Sequence, residues 1–425
     1  MSTMFSRELG PSPLAEIERR VQERTKHLFA SDVSAELLRS MVDDEVERWN
    51  DDFRRGLRSV ALADPTSVVD RAIRNLTAYG PLSPLLGDDD VWEIEINAPD
   101  AIFVKRHRGP SGFHDEVFHD DDHVLRTLTR LLDDAPGAHR KLDPSEGLQD
   151  ARLDDGSRVH IVHADVGRGG HVLVNIRKFT GVPIRSLDEL VENGAIEPAA
   201  AAFLRACIRA RASIVFAGAP GAGKTTLLSC CLADLDPSLR VVVAEEVFEA
   251  DIALPNVAQM QTRPARADRP EVDLRRLVTG FLRMAPDVAV VGEVRDQEAL
   301  ALLLALSSGV TGYTTIHASS AAQALSRLRF LSQLSEAGRH LPFSALSSLV
   351  SDAVDVVVHS ARTRDGVRVT SIVAVEDLVS GPDSPHFTLT EVFAPDFTGN
   401  MPERLGRRLA RHGVSARAVL RGGER

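Results

Sequence analysis

Ser213-Ile-Val-Phe-Ala-Gly218-Ala-Pro-Gly221-Ala-Gly223-Lys224-Thr225-Thr226 is the stretch that decides the fold. It follows the pattern G-x-x-x-x-G-K-[ST], with an apolar strand ahead of it and a helical Leu227-Leu228 stretch behind it. Gly218, Gly221 and Gly223 let the chain curl around phosphates with backbone amides turned inward. Lys224 then neutralises the β and γ phosphates, and the Thr225 hydroxyl reaches Mg²⁺. The loop expected to hold the cofactor is therefore Gly218, Ala219, Pro220, Gly221, Ala222, Gly223, Lys224, Thr225 and Thr226, and the expected cofactors are ATP and Mg²⁺.

Such a loop alone leaves kinase, GTPase and motor open, and the segments further along the chain narrow the choice. Asp287-Val-Ala-Val-Val-Gly292-Glu293 is an apolar strand ending in an acid, where a P-loop sheet presents a carboxylate on the Mg²⁺ side. No aspartate stands directly on the metal, so Glu293 is expected to hold a metal-bound water or to orient the attacking one. The plainer alternative is a solvated acid at a strand end. Val241-Val-Val-Ala-Glu245-Glu246-Val-Phe-Glu249 again sets acids after a buried strand. Parallel neighbours deliver their C-terminal ends to one crevice, so Glu245, Glu246 and Glu293 are expected to face one nucleotide. Adjacent glutamates point different ways, and only one of Glu245 and Glu246 should reach it. Gly309-Val-Thr-Gly312-Tyr-Thr-Thr-Ile-His317-Ala-Ser adds a histidine after another apolar strand. A lone histidine there is more often a packed or capping residue than a catalyst, and its meaning depends on its company.

Around these motifs strands and helices alternate from residue 199: strands at 213–216, 241–244 and 289–291, helices after Gly223, before Pro286 and after Asp296. That spacing predicts a parallel sheet covered on both faces. Residues 354–389 return to short strands around an Arg364-Asp365-Gly366 turn. Upstream, residues 13–86 read as helices, with Leu14, Ile17 and Val21 at helical spacing and starts at Ser31-Asp32 and Asp64-Pro65. Residues 91–178 change to alternating strands, with Trp92, Ile94 and Ile96 on one run, a helix at 121–132 and a turn at Asp154-Asp155-Gly156. Residues 180–183 read as a linker, followed by a helix at 186–193. The expected organisation is a helical region at 1–87, a small α/β domain at 88–180, a linker and first helix at 181–198, the P-loop domain at 199–395 and a basic tail at 396–425.

Composition sets outer bounds. Hydrophobic residues are 43% and charged residues 26%, ordinary for a soluble globular chain. Cys207, Cys230 and Cys231 form no C-x-x-C pair, which argues for a reducing cytosol and against a zinc ribbon. The apolar run at 299–306 is far below the ~20 residues a membrane span needs, so membrane association is expected to be peripheral, through partners. A net charge of -11 disfavours broad nucleic-acid binding. Residues 403–425 carry seven arginines against two glutamates, read as a solvated or weakly helical end with an anionic surface as the alternative partner.

The segments in company resemble a known family. Pro286-Asp-Val-Ala-Val-Val-Gly-Glu-Val-Arg295-Asp-Gln-Glu-Ala-Leu300, Gly312-Tyr-Thr-Thr-Ile-His317-Ala and Ala324-Leu-Ser-Arg327-Leu look like the type II/IV secretion traffic ATPases, and within them the CpaF/TadA branch of tight-adherence pili. Upstream, Tyr79-Gly-Pro-Leu-Ser-Pro-Leu-Leu86, Glu93-Ile-Glu-Ile-Asn97, Ala151-Arg-Leu-Asp-Asp-Gly-Ser-Arg158 and Asn175-Ile-Arg177-Lys-Phe179 are similar to the family's N-terminal domain. The resemblance implies an α/β fold with a RecA-like P-loop ATPase domain, a smaller N-terminal α/β domain and an N-terminal helical region. It also implies that Glu293 is the Walker B glutamate, that His317 senses the γ-phosphate and that Glu245, Glu246 and Glu249 form the acidic box. From the small domain, Arg152, Arg158 and Arg177 are implied to reach a bound nucleotide, which one being left open. Glu245-Glu246 stands where Glu-Asp is usual, and Ala285 where a further arginine is frequent, although Arg263 and Arg283 are kept. The tetracysteine motif of the pilus-extension branch is missing.

The expected function is ATP hydrolysis by a homohexamer that drives pilus assembly or protein export. Its expected place is the cytoplasm, at the inner face of the membrane, beside an inner-membrane platform protein. A conjugation-like DNA-transfer ATPase and a non-hydrolysing ATP-binding switch are the alternatives.

Overall fold

The structure, a computed structural model, describes residues 12–26, 34–107, 109–135, 142–178, 184–250, 252–263, 265, 270–364, 366–377, 386–394, 396 and 398–415. The chain divides into two compact units, Met1–Thr180 and Gly181–Arg425.

In the first unit, α1 (Pro13–Thr25), α2 (Ala35–Arg54) and α3 (Pro65–Thr77) are opened by Ser12, Ser34 and Asp64, whose side chains each accept a backbone amide. These caps satisfy donors that a helix cannot satisfy itself. Asp64-Pro65 is the start expected from the sequence. Ser31-Asp32 lies outside the described residues, and α2 is capped by Ser34 instead. The apolar faces of the three helices close on Ile17, Val21, Val42, Val46 and Ala72.

After α4 (Leu82–Leu86) come β1 (Val91–Ala98), β2 (Ala101–Arg106), β3 (Gly112–Phe113), α5 (Asp121–Asp133), β4 (Leu148–Arg152), β5 (Arg158–Val162) and β6 (Leu173–Arg177). The strands form one antiparallel sheet in the order β3-β2-β1-β6-β5-β4. Period-two alternation sends Ile94, Ile96, Val159, Ile161, Val174 and Ile176 into a core shared with Leu128 and Leu132 of α5. The opposite parity carries Glu93, Lys105, Arg158 and Arg177.

The second unit holds α6 (Leu187–Glu192), α7 (Pro198–Arg209), β7 (Ile214–Ala217), α8 (Lys224–Ala233), β8 (Val241–Glu245), β9 (Val257–Gln261), α9 (Leu274–Gly280), β10 (Val288–Val291), α10 (Glu298–Ser307) and β11 (Thr311–Ile316). It continues with α11 (Ala321–Leu334), α12 (Phe343–Ala353), β12 (Val356–Thr363), β13 (Gly366–Val375), β14 (Leu389–Phe393) and α13 (Glu403–Arg411). One sheet runs β14-β13-β12-β7-β11-β10-β8-β9. From β12 to β9 neighbours are parallel, while β13 and β14 are antiparallel. The late strands therefore extend the P-loop sheet, making it mixed rather than wholly parallel. Phe216, Val243 and Val290 point to one core, and Val215, Val242 and Val291 to the other. Burial on both faces is why these strands read as unbroken apolar runs.

The basic end, expected to be solvated or weakly helical, carries a helix, and that helix is packed rather than solvated. In α13, Leu405 and Leu409 are buried with α7 and β7, and Val414 follows them. Two of its arginines tie it down: Arg408 lies 3.4 Å from the buried Asp355, and Arg404 donates to the Asp352 carbonyl at 2.9 Å, at the end of α12. The physical reason is amphipathicity, two leucines four apart on an otherwise charged helix. Residues 416–425 of that tail, the linker at 180–183 and Asp365 of the expected turn lie outside the described residues. Among the described residues no helix is long and apolar enough to cross a membrane.

Candidate active site

β7 lies in mid-sheet between β12 and β11, and α8 begins at Lys224. Space demands the glycines between them. A Cβ at Gly218 would stand 2.4 Å from the Ser360 carbonyl oxygen, and one at Gly223, where φ is +74°, 2.8 Å from Val367 Cγ1. The β12–β13 hairpin thus backs the loop, and Arg362 Nε donates to the Gly221 carbonyl at 3.1 Å. Lys224 is buried; its Nζ donates to the Ala219 carbonyl at 3.0 Å and to His317 Nδ1 at 3.2 Å. Thr225 and Thr226 complete the first turn of α8. Free amides at a helix N-terminus beside a lysine suit a polyphosphate. Thr225 and Glu293 offer only hard oxygen donors, fitting a Mg²⁺ that keeps waters and phosphate oxygens.

The two neighbouring glutamates separate as adjacent side chains must. Glu245 is 2% exposed, and its Oε1 accepts the Glu249 and Ala250 amides at 3.0 and 2.9 Å. It shapes the loop after β8, and Gly292 leaves room for it, since a Cβ there would meet Glu245 Cγ at 2.8 Å. Glu246 turns out and pairs with Arg295 NH1 at 3.0 Å. Arg295 in turn grips Glu293 at two points, Nε to Oε1 at 2.7 Å and NH2 to Oε2 at 3.0 Å. Glu249 stands close enough for its charge to favour the Arg295 cation.

Glu293 Oε1 also lies 2.9 Å from His317 Nε2. Lysine has no acceptor, so His317 Nδ1 must accept from Lys224 and Nε2–H must donate to Glu293. Burial, the largest influence, holds His317 below the ordinary histidine range, against the pull of Glu293. The neutral ring is the form this pairing uses. Protonation would offer a hydrogen to the Gly218 carbonyl, 3.3 Å from Nδ1, and would set a cation against Lys224. For Glu293 burial pushes upward, yet the hydrogen bonds and charge of Arg295, with His317 and Lys224, hold its carboxyl below the ordinary range. The carboxylate is ionised at neutral pH.

The structure therefore joins Lys224, His317, Glu293, Arg295 and Glu246 in one continuous row, drawn from four separate stretches of sequence. Arg152, Arg158 and Arg177 belong to the other unit. They stand opposite one another across β4, β5 and β6, and Arg177 opposite Glu93 on β1. Directly opposed residues share a face, so the three arginines form a cross-strand row. Two functional candidates carried no role in the sequence reading. Arg295 stood two residues from Glu293, on the same motif, and that spacing was its only signal. Arg362 is brought to Gly221 by β12 alone and left no signal.

Fold and site together define the class: a P-loop ATPase built on a RecA-like sheet. The chain belongs to the type II/IV secretion system protein family, whose profile matches residues 75–365. A Mycobacterium tuberculosis protein provisionally named for conjugal transfer is 34% identical over 308 residues, covering 71% of this chain and 85% of that protein. The type IV secretion system protein PtlH of Bordetella pertussis is 31% identical over 304 residues, 65% of this chain and 87% of its own length. Among solved structures, the VirB11 ATPase of the Brucella suis type IV secretion system is 25% identical. That match covers 69% of this chain and 94% of that one, with a TM-score of 0.38.

Proposed function

We propose that this chain is the ATP-hydrolysing motor subunit of a pilus-assembly or protein-export machine of the CpaF/TadA kind, working as a homohexamer. It acts at the cytoplasmic face of the membrane, against an inner-membrane platform protein. The observation that carries this reading is the row from Lys224 to Glu246, which supports a site built for turnover rather than for binding alone. In this reading the loop amides and Lys224 bind the phosphates of ATP, and Thr225 and Glu293 hold Mg²⁺ and its waters. Held there, Mg²⁺ would supply charge neutralisation at the phosphoryl group. Glu293, kept ionised and aimed, orients the attacking water. His317, already bridging Lys224 and Glu293, senses the γ-phosphate because any anion drawn to Lys224 competes for that contact. Glu245 shapes the loop, Glu246 and Glu249 hold the acidic side, and Arg152, Arg158 and Arg177 are candidates to complete a site in a neighbouring subunit.

The conjugal-transfer names of relatives keep DNA transfer as the second reading, opposed by the net charge of -11. The test has three parts: phosphate release by the purified chain with ATP and Mg²⁺, sedimentation for ring size, and identification of what co-purifies from its own cells. Release of phosphate by a six-subunit species that co-purifies with pilin-machine components is the expected outcome. Tight ATP binding without release would leave the switch reading, and co-purification with a DNA-processing complex would favour the second.

A further inference from the structure

We propose that Arg295 is the positioning residue of the hydrolytic site, holding the Glu293 carboxylate at two points and linking it to Glu246, so that Glu246 acts on the reaction through Arg295. This rests on reading Glu293 as the carboxylate that orients water.

Exposed ion pairs are weak as a rule, because long side chains are costly to order. Three features set this one apart. First, the contact is a fork: Nε and NH2 of one planar guanidinium meet the two oxygens of one carboxylate at 2.7 and 3.0 Å, which fixes direction as well as distance. Secondly, the backbone carrying the fork is itself pinned. The Arg295 and Asp296 amides both donate to Glu298 Oε1, at 2.6 and 2.9 Å, and Glu298 is 5% exposed. On the other flank the Val294 amide donates to the Thr315 carbonyl at 2.9 Å, and the Thr315 hydroxyl to the Gly292 carbonyl at 2.7 Å. Residues 292–296 are thereby tied to both α10 and β11.

Thirdly, the remaining guanidinium nitrogen is used by Glu246 at 3.0 Å, across from β8. Arg295 thus spans the ends of β8 and β10, adjacent strands of the sheet. His317 approaches the other side of Glu293, so the carboxylate is held between a fork and a ring nitrogen. This settles a division of labour between the two neighbouring acids. Glu245 is spent on the Glu249 and Ala250 amides, and Glu246 is spent on Arg295. A carboxylate displaced by about 1 Å is enough to cost on the order of 100-fold in rate.

The experiment measures kcat, KM and ATP binding for the full-length chain and for Arg295→Ala, Arg295→Lys, Glu246→Gln and the Arg295→Ala/Glu246→Gln double variant. A thermal melt accompanies each. Arg295→Ala should lower kcat about 10- to 100-fold and leave ATP affinity within about threefold, the split that a positioning role requires. Lysine keeps the charge but not the fork, so Arg295→Lys should recover only part of the loss. Glu246→Gln should cost less, and the double variant should be no worse than Arg295→Ala within about twofold, since residues acting in series are not additive.

Additive losses would overturn the link to Glu246. Unchanged turnover in Arg295→Ala, or full recovery by lysine, would overturn the positioning role. Parallel loss of ATP binding would also overturn it, by making Arg295 part of the nucleotide pocket. Should the alanine variant melt early, the lysine variant with and without Glu246→Gln carries the same comparison. An inactive wild-type ring sinks the hydrolase reading and this proposal together; an active wild type with an indifferent Arg295→Ala sinks this proposal alone.

Discussion

Glu293 and Lys224 belong to one row of contacts, yet they should fail differently. Lys224 is the buried cation proposed to meet phosphate, so Lys224→Ala should lose tight ATP binding together with turnover. Glu293→Gln keeps the loop, Lys224 and a hydrogen-bonding side chain, and removes only the ionised acceptor. ATP binding should stay within about threefold of wild type while turnover falls at least about 100-fold, the scale of a lost proton-handling group. Isothermal titration and a phosphate-release assay read the two quantities separately. Binding lost along with turnover would make Glu293 chiefly an organiser of Mg²⁺ rather than of water, and unchanged turnover would point to another acid. At this scale the candidate residues were legible in the motifs. Partners were not: no spacing rule announces that Lys224 will rest on His317, or that Glu245 will be consumed by two backbone amides.

Between elements, burial decides what charged side chains cost. His123 on α5 is 2% exposed, and burial first, then the charges of His119 and Arg126, lower its pKa from 6.5 to about 4. Between those values the unfolded chain binds a proton that the folded unit refuses. The contribution of His123 to stability should therefore be level above pH 7, and fall as pH drops from 6.5 toward 4, by about 3 kcal/mol for the whole shift. Both tryptophans, Trp49 and Trp92, lie in the first unit, so fluorescence-detected urea unfolding isolates it. Between pH 6.5 and 5, His123→Leu should flatten the slope; an unaltered slope would place its origin elsewhere.

The same logic applies to α13, where Leu409 is fully buried. Leu409→Ala should cost about 2–5 kcal/mol in the second unit, as core truncations do. The exposed Arg411→Ala should be close to neutral. Equal melting of the two variants would return this helix to the status of a solvated tail.

For the whole molecule, the arginine row on β4, β5 and β6 asks for a test between subunits. Lys224→Ala and Arg177→Ala are each expected to be inactive alone, the first through phosphate binding and the second through loss of charge at the transferring phosphoryl group. If Arg177 serves a neighbouring subunit, mixed rings contain some interfaces with an intact Lys224 facing an intact Arg177. Activity should then reappear at intermediate mixing ratios, with assembly checked by sedimentation. Rings that assemble yet stay inactive at every ratio would count against action in trans. An Arg177→Ala chain with normal activity would remove that residue from consideration, leaving Arg152 and Arg158 on the same row.

Local rules alone determined much of this protein. Glycine spacing and Lys224 specify a phosphate loop because glycine takes the left-handed backbone found at Gly221 and Gly223 without strain, and apolar runs four to six residues long specify strands buried on both faces. Cap residues such as Asp64 and Ser186 mark helix starts because their side chains reach amides three residues on. What only the tertiary structure decided depends on contacts between distant segments. β13 and β14 join the P-loop sheet antiparallel, Arg362 reaches Gly221 across 141 residues, and α13 closes the core that α7 began. A side chain's neighbours along the chain set its backbone shape. Its charge state, its partner and its work are set by whatever the fold brings within about 3 Å, the reach of a hydrogen bond.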